Sequence, residues 1–548
     1  MGEPLKSVTI VGGGTAGWLT ALMIRTLSEK SLKVQLIESP NIATVGVGEA
    51  TVPQMPVTLD MLKIPTREFF RRCNTTFKLG VMFKQWNTDP KGKLIDYMNP
   101  FGKPAVVAGV DSCYYHQAFG SGGRDFTRTF TPNLDLARAN KGPVNLRTGK
   151  LQPGVGLAYH LDAVAFAQMM AEIGAQRGIE HIRDDVEGVE LDDRGYVAAV
   201  QLKDKGRHPV ELVVDCTGFR GLIINQALKV PFLDYSKYLC NDRALALQIP
   251  HPDPERITSC TSSTALGAGW SWRVPLFHRI GTGYVFSSAH RTDEEARDEF
   301  MAHLGSDAPT GAEPRVIPMR VGRAETFWEK NCIAIGLSSG FIEPLESTAI
   351  HMIDMAIQRL LLYFPDSDFQ EAKRRRYNQS MEVLYNEVRD FICLHYALGN
   401  RRDSQYWIDA RTELEVPDSL AENLELWRAQ PPCQLDLMSG FLFNAPTYQA
   451  VLMGKRVYDT GYGDGRFHRR LAMNREAWLQ HLKGYDRTRN AIVEACADHR
   501  QGLMAIRGEM EPAMGRGSPL PGLGTPVRSR QKTQPAAMSV DNTAPGLF

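Results

Sequence analysis

Residues 7–18 read SVTIVGGGTAGW, and the residues on either side decide what this stretch is. Ser7 to Val11 is a short apolar run suited to a strand, Gly12, Gly14 and Gly17 form a GxGxxG, and an amphipathic stretch runs from Trp18 to about Glu29. KVQLIE at 33–38 is a second strand, so the whole is a βαβ unit. Glycines at this spacing permit a tight turn and close approach of the backbone to a pyrophosphate, whose charge the helix N-terminus stabilises. Glu38 ends the second strand 24 residues after Gly14, where a carboxylate accepts from ribose hydroxyls. The stretch predicts a dinucleotide-binding α/β core with Gly12, Gly14, Thr15, Ala16, Gly17 and Glu38 at the ligand.

Farther along, Val210 to Asp215 and Asn331 to Gly336 read as additional strands. From Thr348 to Phe364, Ile350, Ile353, Ile357, Leu360 and Leu361 recur at helical spacing until Pro365 stops the pattern. The stretch VVDCTGFRG at 213–221, a strand ending in a Gly-containing turn, is a second nucleotide-contact candidate. Flavoproteins of the hydroxylase type carry such a late strand and acid-Gly turn, which favours FAD over NAD. Only one complete fingerprint occurs, so reducing equivalents are expected from outside the chain.

Beyond Asp366 the chain turns helical and charged, with EAKRRRY at 371–377 as an exposed stretch and another helix from Asp418 to Gln430. From about Gly515 the composition shifts to Gly, Pro, Ser and Arg, the signature of a disordered tail. The expected fold is therefore α/β, an FAD-binding GxGxxG core of hydroxylase type with an appended mainly helical subdomain. The expected boundaries are a core over 1–365 with substrate-site insertions at about 85–160, a helical subdomain over 366–514 and a tail over 515–548.

Composition narrows the partners. Of 548 residues, 43% are hydrophobic and 23% charged, ordinary for a globular protein. The formal charge of +1 offers no field to gather nucleic acid or an anionic membrane. The nine cysteines never fall as CxxC, which reads as reduced thiols with no zinc ribbon, disulfide framework or other metal site. Gly12 to Gly14 interrupt any signal-peptide core, and no run of about 18 apolar residues suggests a membrane span. A cytoplasmic protein with a small or roughly neutral partner, able to form a homodimer, is expected.

One stretch stands apart: GWSWRVP at 269–275, followed by GTGYVFSS at 281–288. In a strand, Trp270 and Trp272 project from one face. They make either an ordinary core strand or an apolar wall.

Several stretches together resemble the flavin-dependent tryptophan halogenases: GGGTAGW at 12–18, GVGEAT at 46–51, GFRGLIINQAL at 218–228, WSWRVP at 270–275 with Val274 in place of the usual isoleucine, and GFIEPLEST at 340–348. Their order and spacing match to about residue 410. The resemblance implies that reduced FAD reacts with oxygen to a hydroperoxide, that chloride or bromide attacks it, and that hypohalous acid passes through a tunnel to a separate indole site. It implies FAD contacts from Glu49, Ala50, Leu337 and Pro344, and a wall at Trp270 and Trp272 that keeps substrate from the flavin. It also implies a separate NAD(P)H flavin reductase as partner. Lys78 in NTTFKLG (74–80) matches the catalytic lysine, and Glu346 the catalytic glutamate, supported by Ser347. Taken as residues alone, Lys78 and Lys84 share one face if the stretch is a continuous strand, and Glu346 also suits a helix N-terminus electrostatically. The N–H groups of Thr348 and Ala349 suit a halide, although the family usually has glycine at position 349.

Two departures bear on the substrate. Phe101 in NPFG (99–102) matches an aromatic that stacks on indole, but the histidine two places earlier is Asn99. The stretch 431–454 lacks the paired tyrosines, the glutamate and the Phe-Trp pair that hold free tryptophan in relatives, and a buried zwitterion without partners is costly. Its apolar replacements lead to the expectation of a wider, apolar mouth and of a tryptophan residue in a peptide or other large substrate. Free tryptophan, indole or another small aromatic is the alternative. A flavin monooxygenase of the same fold would oxidise NAD(P)H by itself and need no Lys78, and a non-catalytic FAD scaffold would bind flavin without turnover.

Overall fold

The computed structural model describes residues 2–42, 46, 48–440, 442–460 and 472–509, within a compact unit spanning Met1–Pro512. The tail expected over 515–548 lies outside the described residues. The opening stretch folds as its pattern dictates: strand Ser7–Val11, helix Thr15–Leu27, strand Lys33–Glu38. The helix buries Trp18, Leu19, Leu22, Met23 and Ile24 against the sheet and the helix Ala163–Gln176. Fully burying one such apolar side chain contributes roughly 1.5–3 kcal/mol.

The nucleotide sheet has six strands in the order Glu180–Arg183, Lys33–Glu38, Ser7–Val11, Leu212–Asp215, Cys332–Ala334 and Trp328–Glu329. The first five run parallel and only the edge pair is antiparallel. In such sheets ligands bind beyond the carboxyl ends of the strands. Here Gly12, Glu38, Cys216 and Gly336 gather at those ends.

A second, seven-stranded sheet places Gly269–Pro275 between Thr261–Leu266 and Ile280–Phe286. A small third sheet joins Glu49–Ala50, Ala158–Leu161 and Thr76–Lys78, pairing His160 with Ala50 and Ala158 with Lys78. It places two distant motifs on either side of one strand, Ala158–Leu161.

Beyond residue 366 the described chain is mainly helical: Glu371–Ala397, Gln405–Thr412, Asp418–Ala429, Ala445–Gly454, Arg475–Ala495 and His499–Arg507. The short strand Cys496–Asp498 returns to pair with Lys141–Asn145. The nine cysteines are free, and among the described residues no helix is long and apolar enough to cross a membrane and no His, Cys, Asp and Glu cluster could hold a metal ion.

Candidate active site

A cavity of about 660 Å³ opens at the carboxyl ends of the nucleotide strands. Gly12, Gly14, Thr15, Ala16, Glu38, Glu49, Ala50, Leu337 and Pro344 all line it. Gly17 does not. It turns inward, where a Cβ would stand 1.8 Å from the Gly12 carbonyl oxygen, so its role is to let helix and strand touch. Gly12 itself has φ +123°, and a Cβ there would meet the Cys216 carbonyl at 2.2 Å.

These residues fit a dinucleotide on their own geometry. Gly14 caps the helix Thr15–Leu27 with no side-chain hydrogen bond to the free N–H groups, and a Cβ on Gly14 would meet nothing within 4 Å. That leaves an open cradle facing unpaired donors, which suits a pyrophosphate. Glu38 sits across it, its Oε2 2.8 Å from His181 Nε2. Loss of water pushes the Glu49 carboxyl up to about 7. The second nucleotide candidate divides its labour. Asp215 is fully buried and accepts from Thr217, Ile223 and Ile224 N–H groups, while Cys216 to Arg220 reach the cavity.

Both tryptophans line the same cavity, with ring centroids 6.3 Å apart and planes at 60°. Trp270 pairs in register with Val285 and Trp272 with Gly283. Gly283 is the residue that sequence reading passed over. A Cβ there would stand 2.1 Å from the Trp272 ring and 2.1 Å from the Leu245 carbonyl. A glycine inside a strand signals close approach, so the signal was present.

The segment Glu343 to Thr348 supplies part of the cavity lining. Glu343 is buried and accepts from Asn241 Nδ2 at 2.7 Å and Tyr396 OH at 2.5 Å, and burial raises its carboxyl to about 7. Pro344, Ser347, Thr348 and Ala349 face the cavity. Ser347 has φ +61°, a sparsely populated conformation for a residue with a Cβ. Helix Ala349–Leu362 starts after Thr348, which caps it without a side-chain bond, and among the described residues the Thr348 and Ala349 N–H groups carry no hydrogen bond. The replacement of glycine by Ala349 leaves this helix start intact.

Glu346 turns away from the cavity and is buried. Its Oε1 accepts from Asn99 Nδ2 at 3.0 Å and lies 3.1 Å from His395 Nε2. Ser347 makes no hydrogen bond to it among the described residues. Lys78 has no exposed surface; its Nζ donates to the Thr51 carbonyl at 3.0 Å and lies 5.5 Å from the Phe101 ring centroid. Burial pushes the ammonium down to about 7, opposed by the charge of Glu346. Lys78, Asn99, Phe101 and Glu346 thus meet in one place. Ala50, next to Thr51, and Ser347, next to Glu346, both line the cavity, so the cluster adjoins it along two short segments.

Two expectations change. Lys78 and Lys84 do not share a face, because the strand breaks at Leu79 between Thr76–Lys78 and Gly80–Thr88; Lys78 is buried and Lys84 exposed. The apolar side chains of 431–454 divide between core and surface: Leu435 and Met438 are exposed, and the rest of the stretch is largely packed. Phe443 stacks on Phe391 at 3.9 Å, and Tyr448, Val451 and Leu452 are buried where the helix Ala445–Gly454 packs on Leu94–Pro100.

A family model described as tryptophan halogenase matches residues 7–465. The chain belongs to the tryptophan halogenase family. The tryptophan 6-halogenase SttH of Streptomyces toxytricini is 38% identical over 470 residues, 82% of this chain and 88% of that one. The SttH crystal structure aligns with a TM-score of 0.86 at 34% identity, covering 92% of this halogenase and 100% of SttH. The 7-chloro-L-tryptophan 6-halogenase KtzR of Kutzneria sp. (strain 744) is 37% identical over 474 residues, covering 82% and 90% of the two chains. MibH, a lanthipeptide tryptophan 5-halogenase, aligns at 27% identity with a TM-score of 0.79 over 92% and 94%. Halogenases of this family are flavin enzymes that take FADH2, a halide and O2. The cradle, cavity and helix start described above belong to such an enzyme.

Proposed function

We propose that this halogenase places chlorine or bromine on the indole ring of tryptophan. One observation carries the reading: Lys78 and Glu346, far apart in sequence, are buried together, Lys78 beside Phe101, next to the segments whose Ala50 and Ser347 line the nucleotide cavity. Bound reduced flavin, with O2 and halide, supplies hypohalous acid. The Thr348 and Ala349 N–H groups hold the halide. Lys78, with its ammonium lowered to about 7, is about half neutral at that pH and largely neutral a unit above it, able to hydrogen-bond hypohalous acid or to carry the halogen as a haloamine. Phe101 stacks on the ring, Glu346 takes the ring proton, and Trp270 and Trp272 keep substrate from the flavin face. A separate flavin reductase supplies FADH2, in keeping with the single dinucleotide fingerprint.

A second reading concerns what carries the ring. SttH is named for tryptophan and KtzR for 7-chloro-L-tryptophan. The stretch 431–454 nevertheless lacks the tyrosine pair and glutamate that would neutralise a zwitterion, and MibH is named for a lanthipeptide. This supports a tryptophan residue within a larger substrate.

The test is mass spectrometry of products from FAD, a flavin reductase, NADH, O2 and chloride, with free tryptophan and tryptophan-containing peptides side by side. A Lys78-dependent gain of one chlorine on either substrate supports the halogenase, and its distribution decides between the two carriers. Oxygen insertion without halogen would move the chain to the monooxygenases.

A further inference from the structure

His395 has no part in the reading above, and its position gives it one. It lies in the last turn of the helix Glu371–Ala397 with no exposed surface. Phe83, Trp86 and Phe391 enclose its ring at centroid distances of 4.9, 6.2 and 5.1 Å. Its Nδ1 is 2.9 Å from the Phe391 carbonyl oxygen. A carbonyl only accepts, so the Nδ1 hydrogen is committed there. Nε2 is therefore the variable atom, and it faces Glu346 Oε1 at 3.1 Å, off the hydrogen-bond axis and without another partner among the described residues.

A neutral ring would turn the Nε2 lone pair toward a carboxylate oxygen at that distance, which is repulsive. One proton must lie between the two groups, on Nε2 or on Glu346. Asn99 Nδ2 donates to the same oxygen. Oε1 is thus held from two sides, while Oε2 has no hydrogen-bond partner among the described residues.

We propose that His395, with Asn99, is a positioning residue that occupies Glu346 Oε1 and leaves Oε2 as the oxygen that receives the ring proton. The inference rests on Glu346 acting as the base in the proposed function. In that step the ring C–H bond breaks, its electron pair restores the aromatic system, and an O–H bond forms at Oε2. The Nε2 contact of His395 and the Asn99 amide occupy Oε1 and fix the direction of the second oxygen. Tyr97, two residues before Asn99 on the same strand, feels the Glu346 charge, and its buried hydroxyl has no partner among the described residues. Lys78 is the other charged group facing Glu346.

The test compares the full-length enzyme with His395→Gln, His395→Phe and His395→Gly, with Glu346→Gln and wild type alongside. Substrate is tryptophan or whichever indole the wild type halogenates, unlabelled and ring-deuterated. The expected result is a drop in kcat of about 10- to 100-fold for His395→Phe, the lower part of the range for a general acid–base contribution, with KM little changed. Proton removal then becomes slow enough for a primary isotope effect absent from wild type. His395→Gln, which still offers a donor to Oε1, retains more activity, and added imidazole restores part of the His395→Gly rate. FAD binding and flavin oxidation without substrate stay at wild-type values in all three. Wild-type kcat in His395→Phe, or a loss with no isotope effect and no imidazole rescue of the glycine variant, overturns the inference. A wild type that halogenates no indole, or an undiminished Glu346→Gln, would instead overturn the proposed function.

Discussion

Asn99 Nδ2 donates to Glu346 Oε1 at 3.0 Å, in a buried position. Sequence reading assigns Asn99 to the substrate, as the counterpart of a histidine beside the stacking aromatic. In the folded chain its amide is directed instead at the carboxylate, so its influence on substrate runs through Glu346.

The two roles separate kinetically. Asn99→Ala should lower kcat about tenfold or more with KM for the indole substrate within about threefold of wild type, the pattern for loss of an interaction that acts on the transition state. Asn99→His keeps a donor and should recover most of kcat. A rise in KM at constant kcat would return Asn99 to the substrate.

Gly283 makes room for Trp272. A Cβ at 283 meets both the Trp272 ring and the Leu245 backbone, so no rotamer change alone relieves it. Gly283→Ala should push the ring into the cavity, weaken FAD binding about tenfold and cost about 1–3 kcal/mol, as overpacking does. Flavin fluorescence titration and urea unfolding measure the two effects. Unchanged affinity would mean that the wall does not bear on flavin.

Glu49 titrates where few carboxylates do. Its carboxyl is raised to about 7 by burial, so the folded state holds a proton that the unfolded chain has already released near pH 4.5. Stability from this group is therefore complete below about 4.5 and is lost as pH rises through 7. Glu49→Gln should stabilise the flavin-free protein at about pH 8, by at most about 3 kcal/mol from the shift, and make no difference near pH 4.5. Urea midpoints across that range check the sign, and a difference that does not grow with pH would contradict it.

The nucleotide core was legible because each local signal agreed with the next: an alternating strand, a glycine turn, a helical period, a second strand. The observed helix, Thr15–Leu27, starts at the glycine loop itself rather than at Trp18 because Gly14 serves as its cap. Lys78 and Glu346 came from motif resemblance; neither residue's chemistry singles it out from other lysines and glutamates. His395 was not legible at all. Within its helix it sits among Phe391, Ile392, Leu394 and Tyr396, which reads as core, and only tertiary packing brings it to Glu346. The shared face of Lys78 and Lys84 failed at one residue, because period-two reasoning requires an unbroken strand and Leu79 interrupts it. The expected apolar mouth is narrowed for a different reason, since Phe443, Tyr448, Val451 and Leu452 are core while Leu435 and Met438 are exposed. Hydrophobic residues in a variable stretch carry no label distinguishing a ligand wall from a core contact, and here Gly454 packs directly on Tyr97.

Lys78 carries the most direct consequence of burial. Its ammonium, lowered from 10.5 to about 7, makes the folded state bind fewer protons than the unfolded chain between those two values. Stability therefore rises with pH across that window, and the full penalty for burying the charge is present below about 7. Lys78→Met, close in volume and without the charge, should abolish halogenation while stabilising the protein at about pH 6. The gain is on the order of a few kcal/mol, with about 4–5 as the limit set by the shift, less about 1 kcal/mol for the hydrogen bond lost at the Thr51 carbonyl. Near pH 10 the gain should shrink to about 1 kcal/mol, and it vanishes only well above 10.5, where the amine is neutral in both states. Urea unfolding at the two pH values, with halogenation measured in parallel, tests both halves. An inactive variant that is less stable at about pH 6 would show that the lysine is held charged by partners stronger than the burial that opposes it.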